Sequence, residues 1–435
     1  MAPTAHHPGM NRADFLKRAA ALGALASAGS LIAASPASPA SSAMSASSAS
    51  SATPATAAPV RERRRGLTHR AVMYDTGTDF GDGALTREVW SDRYLHDELR
   101  AIDRQLHCNS VVISGSRIER LTETARVALE RGLHVWVQPR LFDRPQREIL
   151  DHLARTAREA ECLRTSGTSR AARPKGNGSA HEPETILVIG CEYILFTPGI
   201  VPGRTFMDRI AYLTKGDYDF EVILRRLNAF VRKAVAVARR HFHGRITYGA
   251  SEMEWASVDW SLFDIVGLDY YTYHRDQAGH TKDLAPHRRW RKPIMILEFG
   301  CCTYRGAAER GGDGWDAVDL ESEVPRLKPG VVRDEREQAE HIAHMMKVFE
   351  SEGLFGASPY EFMAPDMPHL ADDPVHDLDT AGYGLVKMVR RDWGDPKSPY
   401  HWEPKRSFHA LAAHNAAHGA GRSAAHDSAH NKARR

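Results

Sequence analysis

From about residue 70 to residue 410 the chain alternates short runs of consecutive apolar residues with longer helix-like segments. The apolar runs fall at 71–74, 110–114, 134–138, 186–192, 245–249, 265–270, 294–298 and 357–362. Helix-like stretches occupy 97–106, 117–131, 145–163 and 220–240, and another at 334–352 opens on acids and is closed by Gly353, as helix ends prefer. Strands covered on both faces read as continuous apolar runs, not as alternating ones. Eight such runs separated by helices predict a parallel sheet, and eight units are the number that closes an α/β barrel. The fold expected is therefore a (β/α)8 TIM barrel with long strand-to-helix loops. The alternative, a doubly wound open sheet, usually carries a Gly-x-Gly-x-x-Gly turn after its first strand, and none stands there. No cofactor is expected.

Loop lengths give the barrel a polarity. The polar tract 165–184 joins a helix to the fourth strand and so belongs to the bottom, as a flexible insertion. Three long connections, 193–219, 301–332 and 364–383, follow strands and belong to the top, where barrels build their sites.

Composition changes the picture at the two ends. Residues 1–60 run from a basic start through an Ala-rich apolar middle, 19–34, into a Ser/Ala/Pro tract. That is the layout of an export signal with a disordered segment behind it. Asn11-Arg12-Ala13-Asp14-Phe15-Leu16-Lys17 approaches the twin-arginine pattern, with Ala13 in place of the second Arg. Export to the outside is expected if the segment works as a signal, and a cytoplasmic protein if it does not. The barrel domain is expected over 66–410, and 411–435 as a disordered His/Ala-rich tail. His414 and His418 have helical spacing that suits a metal, but no carboxylate or Cys joins them in the sequence, so no metal site is assigned. The net charge of +3 and the lack of a basic stripe with interleaved aromatics argue against nucleic acid. No apolar run in the body of the chain is long enough for stable membrane insertion, and the oligomeric state is left open. The five cysteines fit no zinc spacing and read as buried free thiols.

Two strands end on an acid. Lys292-Pro293-Ile294-Met295-Ile296-Leu297-Glu298-Phe299-Gly300 places Glu298 at the end of the seventh strand, and Ile186 to Glu192 places Glu192 at the end of the fourth. Facing carboxylates across a barrel mouth fit glycoside hydrolysis: one protonates the leaving oxygen while the other attacks the anomeric carbon, at a separation of about 5 Å in retaining enzymes. Other strand-end residues are candidates for binding a carbohydrate: Tyr74, Asp75, Gln138, Arg140, Glu252, Trp255, Asp269, Tyr271 and Glu361. Polar groups there bind hydroxyls and aromatic rings stack on sugar faces.

These residues carry a resemblance. The Glu298 strand looks like the nucleophile strand of clan A retaining glycoside hydrolases, and Phe263-Asp264-Ile265-Val266-Gly267-Leu268-Asp269-Tyr270-Tyr271 looks like their sixth strand. From about Arg70 to Phe408 the chain also resembles actinobacterial proteins labelled "abortive infection protein". The stretches that match are Tyr74-Asp75-Thr76-Gly77-Thr78, Phe196-Thr197-Pro198-Gly199-Ile200-Val201-Pro202-Gly203-Arg204 and Glu298-Phe299-Gly300-Cys301-Cys302. The clan resemblance implies Glu298 as nucleophile and Glu192 as general acid/base. The chain departs from the clan in having Cys191 where Asn precedes the acid/base, and Tyr360-Glu361-Phe362 where Trp ends the eighth strand. The expectation is a retaining glycosidase. Its alternatives are a carbohydrate-binding barrel with weak or no turnover and a phage-defence role, or metal-dependent hydrolysis, which the scarcity of strand-end histidines disfavours.

Overall fold

The computed structural model describes residues 66–169, 182–319 and 322–418. The expected signal at 1–60 lies outside them, as do most of the 165–184 tract and residues 419–435. Eight parallel strands form a closed ring. The first is in two pieces, His69–Arg70 and Met73–Asp75 (together β1). Ser110–Gly115 (β2), His134–Pro139 (β3), Thr185–Cys191 (β4) and Ile246–Gly249 (β5) follow. Val266–Asp269 (β6), Ile294–Glu298 (β7) and Gly356–Ala357 (β8) complete it. Adjacent strands from β1 to β5 and from β6 to β8 pair in parallel.

Two seams close the circle. Between β5 and β6, Ala250 bonds on both sides, its N–H to Gly267 O and its carbonyl to Asp269 N. Between β8 and β1, His69 pairs with Gly356 and Arg70 with Ala357, and Met73 donates to Pro359 O and accepts from Phe362 N. Every residue of β2, β4 and β7 is buried, which is why these segments read as unbroken apolar runs.

Helices Asp92–Arg104 (α1), Ile118–Glu130 (α2), Gln146–Ser169 (α3), Phe220–His241 (α4), Gln277–Leu284 (α5) and Glu335–Ser351 (α6) pack outside the ring. In α4 the buried residues Ile223, Leu227, Phe230, Val231, Ala234, Val235 and Ala238 make one stripe, and Asp219 caps its start by accepting from Val222 N. A short 3-10 turn, Trp260–Leu262, replaces a helix between β5 and β6.

The structure differs from the sequence reading in three places. Helix α3 continues through Ser169, into the tract expected to be a loop. An antiparallel hairpin, Val386–Arg390 (β9) with Tyr400–Pro404 (β10), follows the barrel and was not expected. A helix over 406–418 (α7) carries the domain past residue 410. The cause is burial: Leu411 and Asn415 are inaccessible to solvent, and the Asn415 amide donates to Leu106 O. Among the cysteines, Cys108, Cys191, Cys301 and Cys302 are buried free thiols, while Cys162 is exposed. No helix of the described residues is long and apolar enough to cross a membrane.

Candidate active site

The C-terminal ends of the strands converge on a mouth lined by acids. Glu298, the last residue of β7, is held at both carboxylate oxygens: Arg140 donates to Oε1 and forms an ion pair with it, and the Tyr271 hydroxyl donates to Oε2 at 3.0 Å. Arg140 is itself oriented by Gln138, whose Oε1 accepts from Nε at 3.2 Å and from Nη2 at 3.0 Å. The end of β3, the start of the loop after β6 and the end of β7 are thus joined through one carboxylate.

Glu192 reaches the mouth by a different route. The pairing of β4 with β5 shifts between Val188 and Cys191, and Glu192 then takes a left-handed conformation, φ 44° and ψ 48°. Such a backbone costs a non-glycine residue on the order of 1–3 kcal/mol and persists only where its surroundings impose it. Here the imposition is visible. The Glu192 N–H donates to Gly249 O at 2.8 Å, and Glu192 begins the short helix Tyr193–Phe196. Glu254 anchors that helix, accepting from Ile194 N, Ser251 N and the Tyr248 hydroxyl. A Cβ at Gly249 would stand 2.9 Å from Asp269 Oδ2 and 3.1 Å from Cys191 Cβ, so glycine there keeps the acids on β4 and β6 close.

The electrostatics separate the two glutamates. Burial pushes Glu192 well above the usual carboxylate range, and the charges of Asp269, Glu298 and Glu254 push it further while Arg140 opposes them. Its Oε1 has no hydrogen-bond partner among the described residues. Glu298, by contrast, has two donors, one of them the Arg140 guanidinium. Asp269 and Glu361 are also raised, chiefly by burial, Asp269 next by Glu298 and Glu361 next by Asp75 and Asp366. Neither carboxylate oxygen of either residue has a hydrogen-bond partner. The mouth therefore holds more buried carboxylates than Arg140 can balance.

Of the remaining expected residues, Asp75 closes its own loop, accepting from Gly77 N at 3.0 Å, Thr78 Oγ1 at 3.0 Å and the Thr86 hydroxyl. Its charge still reaches Arg140 and Glu361. Glu252 is half-buried, accepts from the Thr272 hydroxyl, and is pushed up to about 7 by burial. Two residues are engaged outside the cluster of acids. Tyr74 donates to Glu98 Oε2 at 2.6 Å behind β1. Trp255 donates to Ala250 O and stacks on Tyr270 with ring centres 5.3 Å apart.

The sequence reading missed Tyr360 and Tyr383. Tyr360 follows β8 with its ring 5.8 Å from the Arg140 guanidinium carbon. Tyr383 packs edge-on against Tyr271 and Tyr360, and its hydroxyl donates to Gly311 O and accepts from Gly314 N. These contacts tie the loops after β7 and β8 together over the site. Glu192 and Glu298 retain only 2% and 3% of their exposure. Tyr360 was visible as the neighbour of Glu361; no local pattern marks Tyr383.

No protein-family profile matches the chain, and no curated protein matches it. Solved structures do. A GH113 beta-1,4-mannanase is similar over 80% of this chain and 99% of its own, at 13% identity and a TM-score of 0.49. A GH2 beta-galacturonidase from Eisenbergiella tayi is similar over 81% of this chain and 52% of its own, at 12% identity and 0.47. A beta-glycosidase is similar over 81% and 96%, at 11% identity and 0.45. At such identities and scores, no residue role passes from these proteins to this one.

Proposed function

We propose that this barrel is a retaining glycoside hydrolase in which Glu298 is the nucleophile and Glu192 the general acid/base. The observation that carries the proposal is the unequal setting of the two acids. Glu298 is ion-paired and accepts two hydrogen bonds, which suits a carboxylate. Glu192 is buried among like charges, which favours its protonated form. One acid bound by a cation and one set among like charges, both at strand ends, fit the nucleophile and the proton donor of glycosidic cleavage.

In the first step a Glu298 oxygen bonds to the anomeric carbon. The bond to the leaving oxygen breaks as Glu192 gives that oxygen its proton, and the product alcohol departs from a glycosyl ester. In the second step the Glu192 carboxylate takes a proton from water. The water oxygen bonds to the anomeric carbon, and Glu298 leaves with its electron pair, restored. Arg140 and Tyr271 fix the attacking oxygens through both steps. The amide that clan A enzymes place before the acid/base is missing at Cys191. Gln138 supplies one instead, because its buried Nε2 has no protein partner. The substrate class is a β-linked glycan. Wild-type protein should release phenol from a panel of aryl β-glycosides, and Glu298→Gln should abolish that release.

A second reading is a sugar-binding barrel without efficient turnover, favoured by the 2–3% exposure of the two acids. Sugar binding by calorimetry with no hydrolysis across the panel would select it. A part in phage defence, which the sequence resemblance implies, would show as fewer phage plaques on cells carrying wild type than on cells carrying Glu298→Gln. The reading of residues 1–60 as an export signal calls for a mature N-terminus beyond the Ser/Ala tract.

A further inference from the structure

His414 and His418 lie one turn apart on α7, and their imidazole rings stack with centres 4.6 Å apart. The carboxylate that the sequence does not place beside them arrives from α6. Glu350 Oε1 is 3.2 Å from His414 Nε2, and Oε2 is 3.1 Å from His418 Nε2. One atom from each of the three residues lies within 4.8 Å of the other two. Around a tetrahedral zinc with ligands at about 2.0–2.1 Å, neighbouring ligand atoms stand roughly 3.3 Å apart, so the two contacts to Glu350 already have the length of polyhedron edges.

The hydrogen bonding says what belongs between them. His418 Nδ1 is 2.7 Å from the His414 carbonyl, which only accepts, so Nδ1 carries a hydrogen. The neutral ring then presents a lone pair at Nε2, facing a carboxylate. Fixing the ring through a backbone carbonyl is how proteins prepare an Nε2 ligand. Buried His414 Nε2 and Glu350 Oε1 have no hydrogen-bond partner despite their proximity. Glu350 stands in the last turn of α6, where the helix dipole favours positive charge. His414 and Glu350 are 7% and 13% exposed at the side chain and His418 is 38% exposed, leaving one open side for water as a fourth ligand.

Among the described residues, the other three-residue group of this kind, His69, His134 and Glu184 at the bottom of the barrel, is already engaged. Arg245 holds both Glu184 oxygens, His69 Nδ1 meets Ser110, and His134 Nδ1 accepts from Glu184 N.

We infer that Glu350, His414 and His418 form a zinc-class divalent metal site that clamps α7 onto α6. The metal displaces any proton held between the rings and the carboxylate to solvent. The charge of Arg70 reaches His414 and moderates the affinity.

The experiment is titration of the full chain, stripped with chelator, with Zn2+ against a chromophoric competitor, and with Co2+ followed by its visible absorption. Expected are one equivalent bound, a Co2+ spectrum of four- or five-coordinate intensity, and a Tm that rises with free zinc. His418→Gln, at the most exposed ligand, should weaken binding at least 10-fold while circular dichroism stays unchanged. His426→Ala with His430→Ala should leave the site intact. Equal binding by wild type and His418→Gln, or loss of binding only when His426 and His430 are changed, would overturn the inference.

Discussion

Tyr74 and Asp75 are neighbours in β1, and because successive strand residues point to opposite faces they serve two different buried clusters. Behind the strand, Tyr74 joins Arg87, Glu98 and Tyr400. Glu98 accepts from Tyr74 and Arg87 on one oxygen and from Tyr400 on the other, at 2.6, 2.6 and 2.8 Å. One guanidinium balances one carboxylate. Inside the mouth, Asp75, Glu192, Asp269, Glu298 and Glu361 share Arg140 as the counter-charge, and Asp269 and Glu361 have no donors at all. Both clusters are equally hidden from water. The first is balanced in charge, as suits a structural brace, although Arg87 Nε and Nη2 have no hydrogen-bond partner among the described residues. The second gathers several carboxylates around one cation, an imbalance that a stable protein would not keep without use. Burial alone does not separate architecture from chemistry; the balance of charges does.

Substitutions should break the two clusters in opposite ways. The largest effect is expected at Glu298. Glu298→Gln removes the attacking oxygen and should lower kcat/KM for aryl β-glycosides by about 10^4-fold or more, with Tm changed little. Glu192→Gln should cost about 10^2–10^4-fold when the leaving group needs a proton and far less with dinitrophenol. The pH profile gives the sign. Burial raises the pKa of Glu192, so the acid keeps its proton to higher pH than a free carboxyl does, and activity on poor leaving groups falls as pH rises through that pKa. Glu192→Gln should remove this alkaline limb.

The brace should respond in stability instead. Arg87→Met leaves Glu98 buried without its cation and should cost about 3–5 kcal/mol in denaturant unfolding, with kcat of the folded fraction unchanged. The smallest effect runs the other way. Glu361→Gln removes an unpaired buried carboxylate and should raise stability by about 1–3 kcal/mol at neutral pH. In the folded protein Glu361 binds its proton more tightly than in the unfolded chain, so this acid's contribution to stability falls as pH rises above about 4. The gain from Glu361→Gln should therefore vanish near pH 4. A gain that persists there would place its cause in packing.

Much of this was readable from residue order. Continuous runs such as Ile294–Glu298 announce a strand covered on both sides, and counting them put Glu298 seventh and Glu192 fourth. What stayed hidden depends on contacts between distant segments. Tyr74 and Asp75 look alike as strand-end polar residues, and only the pleat sends one outward. Trp255 reads as a sugar platform until Ala250 O takes its indole N–H. In the hairpin, β9 alternates buried with half-buried residues and β10 is largely exposed and polar, so neither strand carries a continuous run. The domain end was placed at 410, inside α7, because the buried face of that helix is small: Phe408, Leu411 and the bond from Asn415 to Leu106. Glu350 and His414 lie 64 residues apart, and no spacing rule joins them.

The central claim is that Glu298 attacks the anomeric carbon, and covalent trapping tests it most directly. The full-length protein would be treated with cyclophellitol-type epoxides and 2-deoxy-2-fluoro glycosides of several sugar configurations, then digested and mapped by mass spectrometry. The account predicts a single glycosyl adduct on the peptide carrying Glu298, absent from Glu298→Gln. Turnover of glycosides with the adduct on Asp269 or Glu361, or with no adduct, would contradict it.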